Sequence, residues 1–305
     1  VRGKATVLCR ICYAAKRMKK KLFILFGVVL IFSGLFFLFG SRVLGVFFPK
    51  KEYVLTRSES SVHRFRDSST RLDAIRVKVF YAVPRNRTGD IPNDWKTPIE
   101  EALRRAVSFH SLQFRGKSSL AFDVYPKPVI LDEESHFYNT DITARGNPHA
   151  LISVAEELDR RVFQPDGDLY DAGFSAFKKG EYPVFGIIYE GVGASGGIIQ
   201  DSPKQSAGEV ARELKLPEFL IFKVHVPSAN GFFILSRDFL TDAEYHVNSA
   251  TLLYHEFSHT MAIPDGYDLD TGASYTADIM GDGRRKPLLR TYLSRDILSG
   301  MGLVE

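Results

Sequence analysis

The chain has 305 residues, 45% of them hydrophobic and 25% charged, with 40 Lys/Arg against 36 Asp/Glu for a formal net charge of +4. Eight of the basic residues and no acidic one fall in the first 21 positions, so the remainder carries 32 basic against 36 acidic residues, a net −4. The excess of positive charge is thus local to one end, and the nucleic-acid partner that a basic chain would suggest is excluded.

The basic segment 1–21 also holds both cysteines, Cys9 and Cys12. No disulfide partner is therefore expected in the rest, and a thiol mechanism is excluded there. Segment 22–40 follows, uncharged and rich in Phe, Leu, Ile and Val. As a helix it would be about 28 Å long, close to the apolar thickness of a bilayer. With Lys19, Lys20 and Lys21 before it, it predicts a single-pass anchor in the cell membrane, the N-terminus in the cytoplasm and the rest extracytoplasmic. A cleaved signal peptide is the alternative, but the run is long for a signal core and no A-x-A site follows.

Residues 41–72 are mostly polar and read as a juxtamembrane stalk, leaving 73–305 as one domain. Within it, 75–83 alternates as a strand, 98–114 carries a helical apolar face, and 120–125 and 184–189 read as further strands. Residues 150–162 predict a helix. The glycines of 191–197 lack the context of a dinucleotide site and read as a surface loop, with a place beside a substrate cleft as the alternative. Residues 220–226 and 231–236 are expected to form a strand pair.

Thr241 and Glu244 then form a capping box, and Val247, Ala250, Leu253 and Phe257 recur at helical spacing. This helix carries His255, Glu256 and His259 as HExxH. Positions four apart share one helix face, so both imidazoles can reach a common metal, with Glu256 beside them to take a proton from water. Two neutral imidazoles and a carboxylate suit zinc and leave a fourth position open. Pro264 ends the helix, and the turn at Asp265 and Gly266 can swing the Asp265 carboxylate back toward the histidines. Asp268, Asp270 and Asp278 compete with it for that place. A short helix over 292–301 closes the chain.

HEFSHTMAIPD, from His255 to Asp265, followed by ADIMG around Met280, resembles the metzincin clan of zinc metallopeptidases. That clan carries HExxHxxGxxH, or HExxHxxGxxD in the small snapalysin-type bacterial enzymes, and then a Met-turn. The resemblance implies an α/β (α+β) metzincin-like domain, a twisted mixed sheet backed by the active-site helix. It implies Zn2+ held by His255, His259 and Asp265, Glu256 as general base and acid, and Met280 as the apolar floor of the site. Ala262 stands where the clan has Gly and disfavours the left-handed conformation by roughly 1 kcal/mol. A turn of different shape is the expectation, with one more helical residue before Ile263.

Tyr275, with Tyr267 as an alternative, could donate a hydrogen bond to the developing oxyanion. The expected function is a membrane-anchored zinc metalloendopeptidase acting on a peptide or protein laid along an edge strand. A zinc amidase or hydrolase acting on cell-envelope material, and a non-catalytic binding domain, are the alternatives.

Overall fold

The computed structural model describes residues 61–138, 148–191, 195–199, 226, 228–242, 245 and 247–303. An antiparallel ribbon, β1 (His63–Arg64) and β2 (Asp67–Arg71), precedes β3 (Ala74–Val83). Helix α1 (Lys96–Gln113) leads to β4 (Ser119–Val124) and β5 (Val129–Ile130). Next come α2 (Ser135–Tyr138), α3 (Pro148–Leu158) with a π-helical turn over Asp159–Phe163, and α4 (Ala172–Ser175). Strands β6 (Tyr182–Tyr189), β7 (Ser195–Ile199) and β8 (Gly231–Ser236) follow. Helices α5 (Asp238–Thr241), α6 (Ser249–His259) and α7 (Arg295–Gly300) come last.

The main sheet runs in the order β4-β3-β6-β8-β7, with β5 also on β3. Its pairings are parallel except for β7, which lies antiparallel to β8 at the edge. A parallel core needs cover on both faces, which is why the inner strands are apolar on both. From β3, Ile75, Val77, Val79, Tyr81 and Val83 face α1 and α6, while Phe80 and Ala82 face α3 and the π-helical turn. Strand β6 divides in the same way, with Tyr182, Val184 and Ile188 on the first face and Phe185, Ile187 and Tyr189 on the second. The domain is therefore a mixed α/β fold, a sheet between two helical layers.

Several expectations change here. No helix among the described residues is long and apolar enough to cross a membrane. The 18-residue α1 carries Lys96, Glu100, Glu101, Arg104 and Arg105 and buries a single stripe, which suits a sheet surface and not a bilayer. The fold with a transmembrane helix, the membrane as partner and the single-pass cell-membrane location are corrected accordingly. Segment 22–40, on which they rested, lies outside the described residues, as do 1–21 and 220–225.

The part of 41–72 that is described packs into the domain. Val62 and Leu72 are fully buried, and the His63 and Arg66 amides donate to the Met301 and Gly300 carbonyls at 3.2 and 3.0 Å. Val62, Phe65 and Leu72, scattered among polar residues, give no periodic signal for this ribbon. Residues 195–197, expected as part of a glycine loop over 191–197, instead begin the strand Ser195–Ile199 at the end of the sheet. The helix that carries His255, α6, begins at Ser249, eight positions after α5 ends, and not at a Thr241 cap. Val247 accordingly lies outside the buried stripe and is exposed.

Candidate metal centre

Helix α6 is held at both ends. Near its start, the Asn248 side-chain amide donates to Arg285 O at 2.8 Å and the Thr251 hydroxyl to Lys286 O at 2.7 Å. Ala250, Leu253 and Phe257 enter the core beneath it. At its far end the Ala262 amide donates to His259 O at 3.0 Å and the Ile263 amide to Ser258 O at 3.3 Å. Ala262 has φ 67°, the left-handed conformation itself. The helix therefore stops as sharply as a glycine would stop it, and the expected extra helical residue is absent.

That stop turns Asp265 back over the helix. Its Oδ1 lies 3.3 Å from His255 Nε2 and 3.4 Å from His259 Nε2. The other nitrogen of each ring is already committed: His255 Nδ1 lies 3.0 Å from Ile279 O, and His259 Nδ1 lies 2.8 Å from Ile263 O. A carbonyl only accepts, so both Nδ1 atoms carry the proton and donate. In the neutral rings both Nε2 atoms then present lone pairs to Asp265 Oδ1, which is buried with no hydrogen-bond partner. Two imidazole nitrogens and a carboxylate oxygen thus converge on one point, and this donor set fits zinc.

Glu256 projects from the same turn, with Oε2 4.0 Å from His259 Nε2. The ligand atoms of His255, Glu256 and His259 all lie within 4.8 Å of one another. Burial, with a further push from Asp265, raises the Glu256 pKa, and the two imidazoles only partly oppose this. Burial disfavours the His259 cation, but with no metal on Nε2 the Asp265 carboxylate, assisted by Glu256, outweighs it and raises that pKa to about 9, so a metal would have to displace a proton there. Asp265 is also buried, yet the two histidines hold its pKa well below the usual carboxylate range.

Met280 is buried in the core, and its amide donates to Asp278 Oδ1 at 3.0 Å. Tyr267 stacks on His255 with ring centroids 6.0 Å apart, and the Arg284 guanidinium lies 3.7 Å above the Tyr267 ring. Tyr275 is not brought into this cluster: it is 69% exposed, and its hydroxyl donates to Asp268 Oδ2 at 2.9 Å. Asp268 is spent on its own loop, accepting from the Asp270 and Thr271 amides. Strand β7 forms the wall beside Glu256. A β-carbon at Gly197 would come within 2.1 Å of Glu256 O and 2.9 Å of His259 Cβ. The consecutive glycines followed by two isoleucines were the one sign in the sequence of a strand pressed against a helix.

No protein-family model matches the chain, and no curated protein sequence matches it. Among solved structures it is similar to metalloproteinase-II from Bacteroides fragilis, at 12% identity and a TM-score of 0.34. That alignment covers 81% of this chain and 58% of the other, so the chain spans less than two thirds of that protein's length. The geometry by itself establishes a buried His–Glu–His cluster able to hold a metal ion, set on a mixed α/β domain.

Proposed function

We propose that the domain is a zinc-dependent metalloendopeptidase of metzincin type, nearest in motif to the snapalysin-type enzymes. The observation that carries this reading is the approach of both free imidazole nitrogens to one orphaned carboxylate oxygen, Asp265 Oδ1. His255, His259 and Asp265 would hold the ion. The His–Glu–His grouping offers Glu256 as a ligand instead, but its oxygen stands 4.0 Å from His259 Nε2, farther than that of Asp265. Glu256 is better placed as the base.

Zinc, when bound, supplies a Lewis acid that makes water more acidic and polarises a carbonyl. The protein's own groups do the rest. Glu256, whose proton affinity burial has raised, takes a proton from water as the water oxygen bonds to the carbonyl carbon. It returns that proton to the amide nitrogen as the C–N bond breaks. Tyr267, whose ring lies against His255, is favoured over Tyr275 to donate to the developing oxyanion. β7 ends the strand order beside α6, and its outer edge would offer main-chain hydrogen bonds to an extended peptide.

Glu256→Gln tests the assignment. Purified variant and wild type are compared for zinc content and for cleavage of fluorescently labelled casein. The variant should retain zinc and lose hydrolysis; cleavage at the wild-type rate by a pure sample would remove Glu256 from the mechanism. A wild type that binds no zinc would remove the metal reading itself.

A further inference from the structure

The two candidate histidine ligands are aimed by unequal means. His259 donates to a carbonyl four residues along its own chain, whereas His255 donates to Ile279, 24 residues away. The peptide of Ile279 must therefore be fixed by the loop that carries it. Its amide donates to Tyr292 O at 3.0 Å, and the residue before it is Asp278, a carboxylate only 1% exposed.

Asp278 gathers the loop. Its Oδ1 accepts from the Thr276 hydroxyl at 2.8 Å and from the Met280 amide at 3.0 Å. Its carbonyl accepts from the Gly281 and Gly283 amides at 3.0 and 2.8 Å. The same two residues that donate to Oδ1 also grip Gly266, next to Asp265: the Thr276 amide donates to Gly266 O at 3.1 Å, and Met280 O accepts from the Gly266 amide at 2.8 Å. The fit is close, since a β-carbon on Gly266 would lie 2.2 Å from Thr276 Oγ1.

We propose that Asp278 is a positioning residue that fixes His255 and Asp265 together, through Ile279 O on one side and Gly266 on the other. This rests on the reading of those residues as metal ligands. Its second oxygen, Oδ2, is buried without a hydrogen-bond partner, and such an atom lowers stability. A carboxylate kept at that cost is poorly explained as a device for stability alone. It is well explained as the support of a metal ligand, because such outer groups orient the ligand and govern its affinity.

The test compares wild type, Asp278→Ala and Asp278→Asn in two measurements. Zinc affinity, by chelator competition, should fall roughly 10- to 100-fold in Asp278→Ala. Asp278→Asn, which keeps an acceptor oxygen, should recover most of that loss. In the zinc-free proteins, the imidazole Nδ1–H signal of His255 should broaden or vanish in Asp278→Ala while that of His259 persists. Wild-type affinity with both signals intact, even alongside a lower melting temperature, would show a purely structural role and overturn the proposal. Should Asp278→Ala not fold, Thr276→Val removes one of the two bonds at an exposed residue. Unchanged affinity and an unchanged His255 signal in that variant would overturn it equally. If the wild type binds no zinc, the metal reading fails, and the His255 signal still decides whether Asp278 positions it.

Discussion

Gly197 and Glu256 approach so closely that a single methyl group on the glycine would stand 2.1 Å from the glutamate's carbonyl oxygen. Strand β7 thus lies directly on the backbone of α6, at the residue proposed as the base. Gly197→Ala must push strand and helix apart. We expect a loss of roughly 1–3 kcal/mol in chemical denaturation, together with a drop in casein cleavage larger than the drop in folded protein.

Ala262 holds a left-handed conformation that disfavours any residue with a β-carbon. Ala262→Gly relieves that strain, though glycine also gains freedom in the unfolded chain. The net change should be stabilising by up to about 1 kcal/mol. Zinc affinity should stay at the wild-type level, because the turn already has the shape glycine would give it. Denaturant titration and chelator competition check the two halves separately.

Asp265→Ala removes the only carboxylate oxygen that touches both Nε2 atoms among the described residues. Zinc affinity should fall by more than roughly 100-fold, beyond the loss expected from an outer-shell change. Tyr267→Phe should lower kcat by about 100-fold, as loss of an oxyanion donor does, and leave zinc affinity near wild type. Tyr275→Phe, at an exposed ring bonded to Asp268, should leave kcat unchanged.

His110 provides a pH-dependent component of stability away from the site. It is fully buried between Tyr254 and Ser118, with Nδ1 and Nε2 each 2.9 Å from a hydroxyl oxygen. Burial pushes its pKa down to about 3. In the unfolded chain the group titrates near its ordinary value of about 6.5. Between these values the unfolded state binds the extra proton, so stability is full above about pH 6.5 and falls as pH drops toward 3. A loss of roughly 2 kcal/mol is expected between about pH 6.5 and pH 5. His110→Gln should flatten that part of the profile in urea titrations.

How far the sequence spoke depended on the range of each interaction. HExxH and the apolar stripe of Ala250, Leu253 and Phe257 are local, and the helix that carries them was plain. The apolar or alternating strands within 75–83, 120–125, 184–189 and 231–236 were equally plain. What stayed hidden depended on distant partners. The ribbon at 61–72 is anchored by hydrogen bonds to Met301 and Gly300, more than 200 residues away. Strand β7 is defined by its pairing with β8, and its two consecutive glycines are what propensity reads as a loop. The left-handed Ala262 ran against intrinsic preference because the His259 and Ser258 carbonyls hold the turn. Asp278 was visible only as a rival ligand, since its bonds to Thr276 and Met280 appear once the loop is folded.

The unequal tethers of the two histidines make the stretch from Pro264 to Ile279 a spacer with a set length. His259 keeps its aim in any chain that completes the end of α6. His255 keeps its aim only if the carbonyl of Ile279 returns to the right spot. An insertion or deletion in this spacer should leave a well-folded protein with a misdirected imidazole, and would be felt as weakened metal uptake before any loss of folding. The helix alone is thus half a chelator, and loop length supplies the other half.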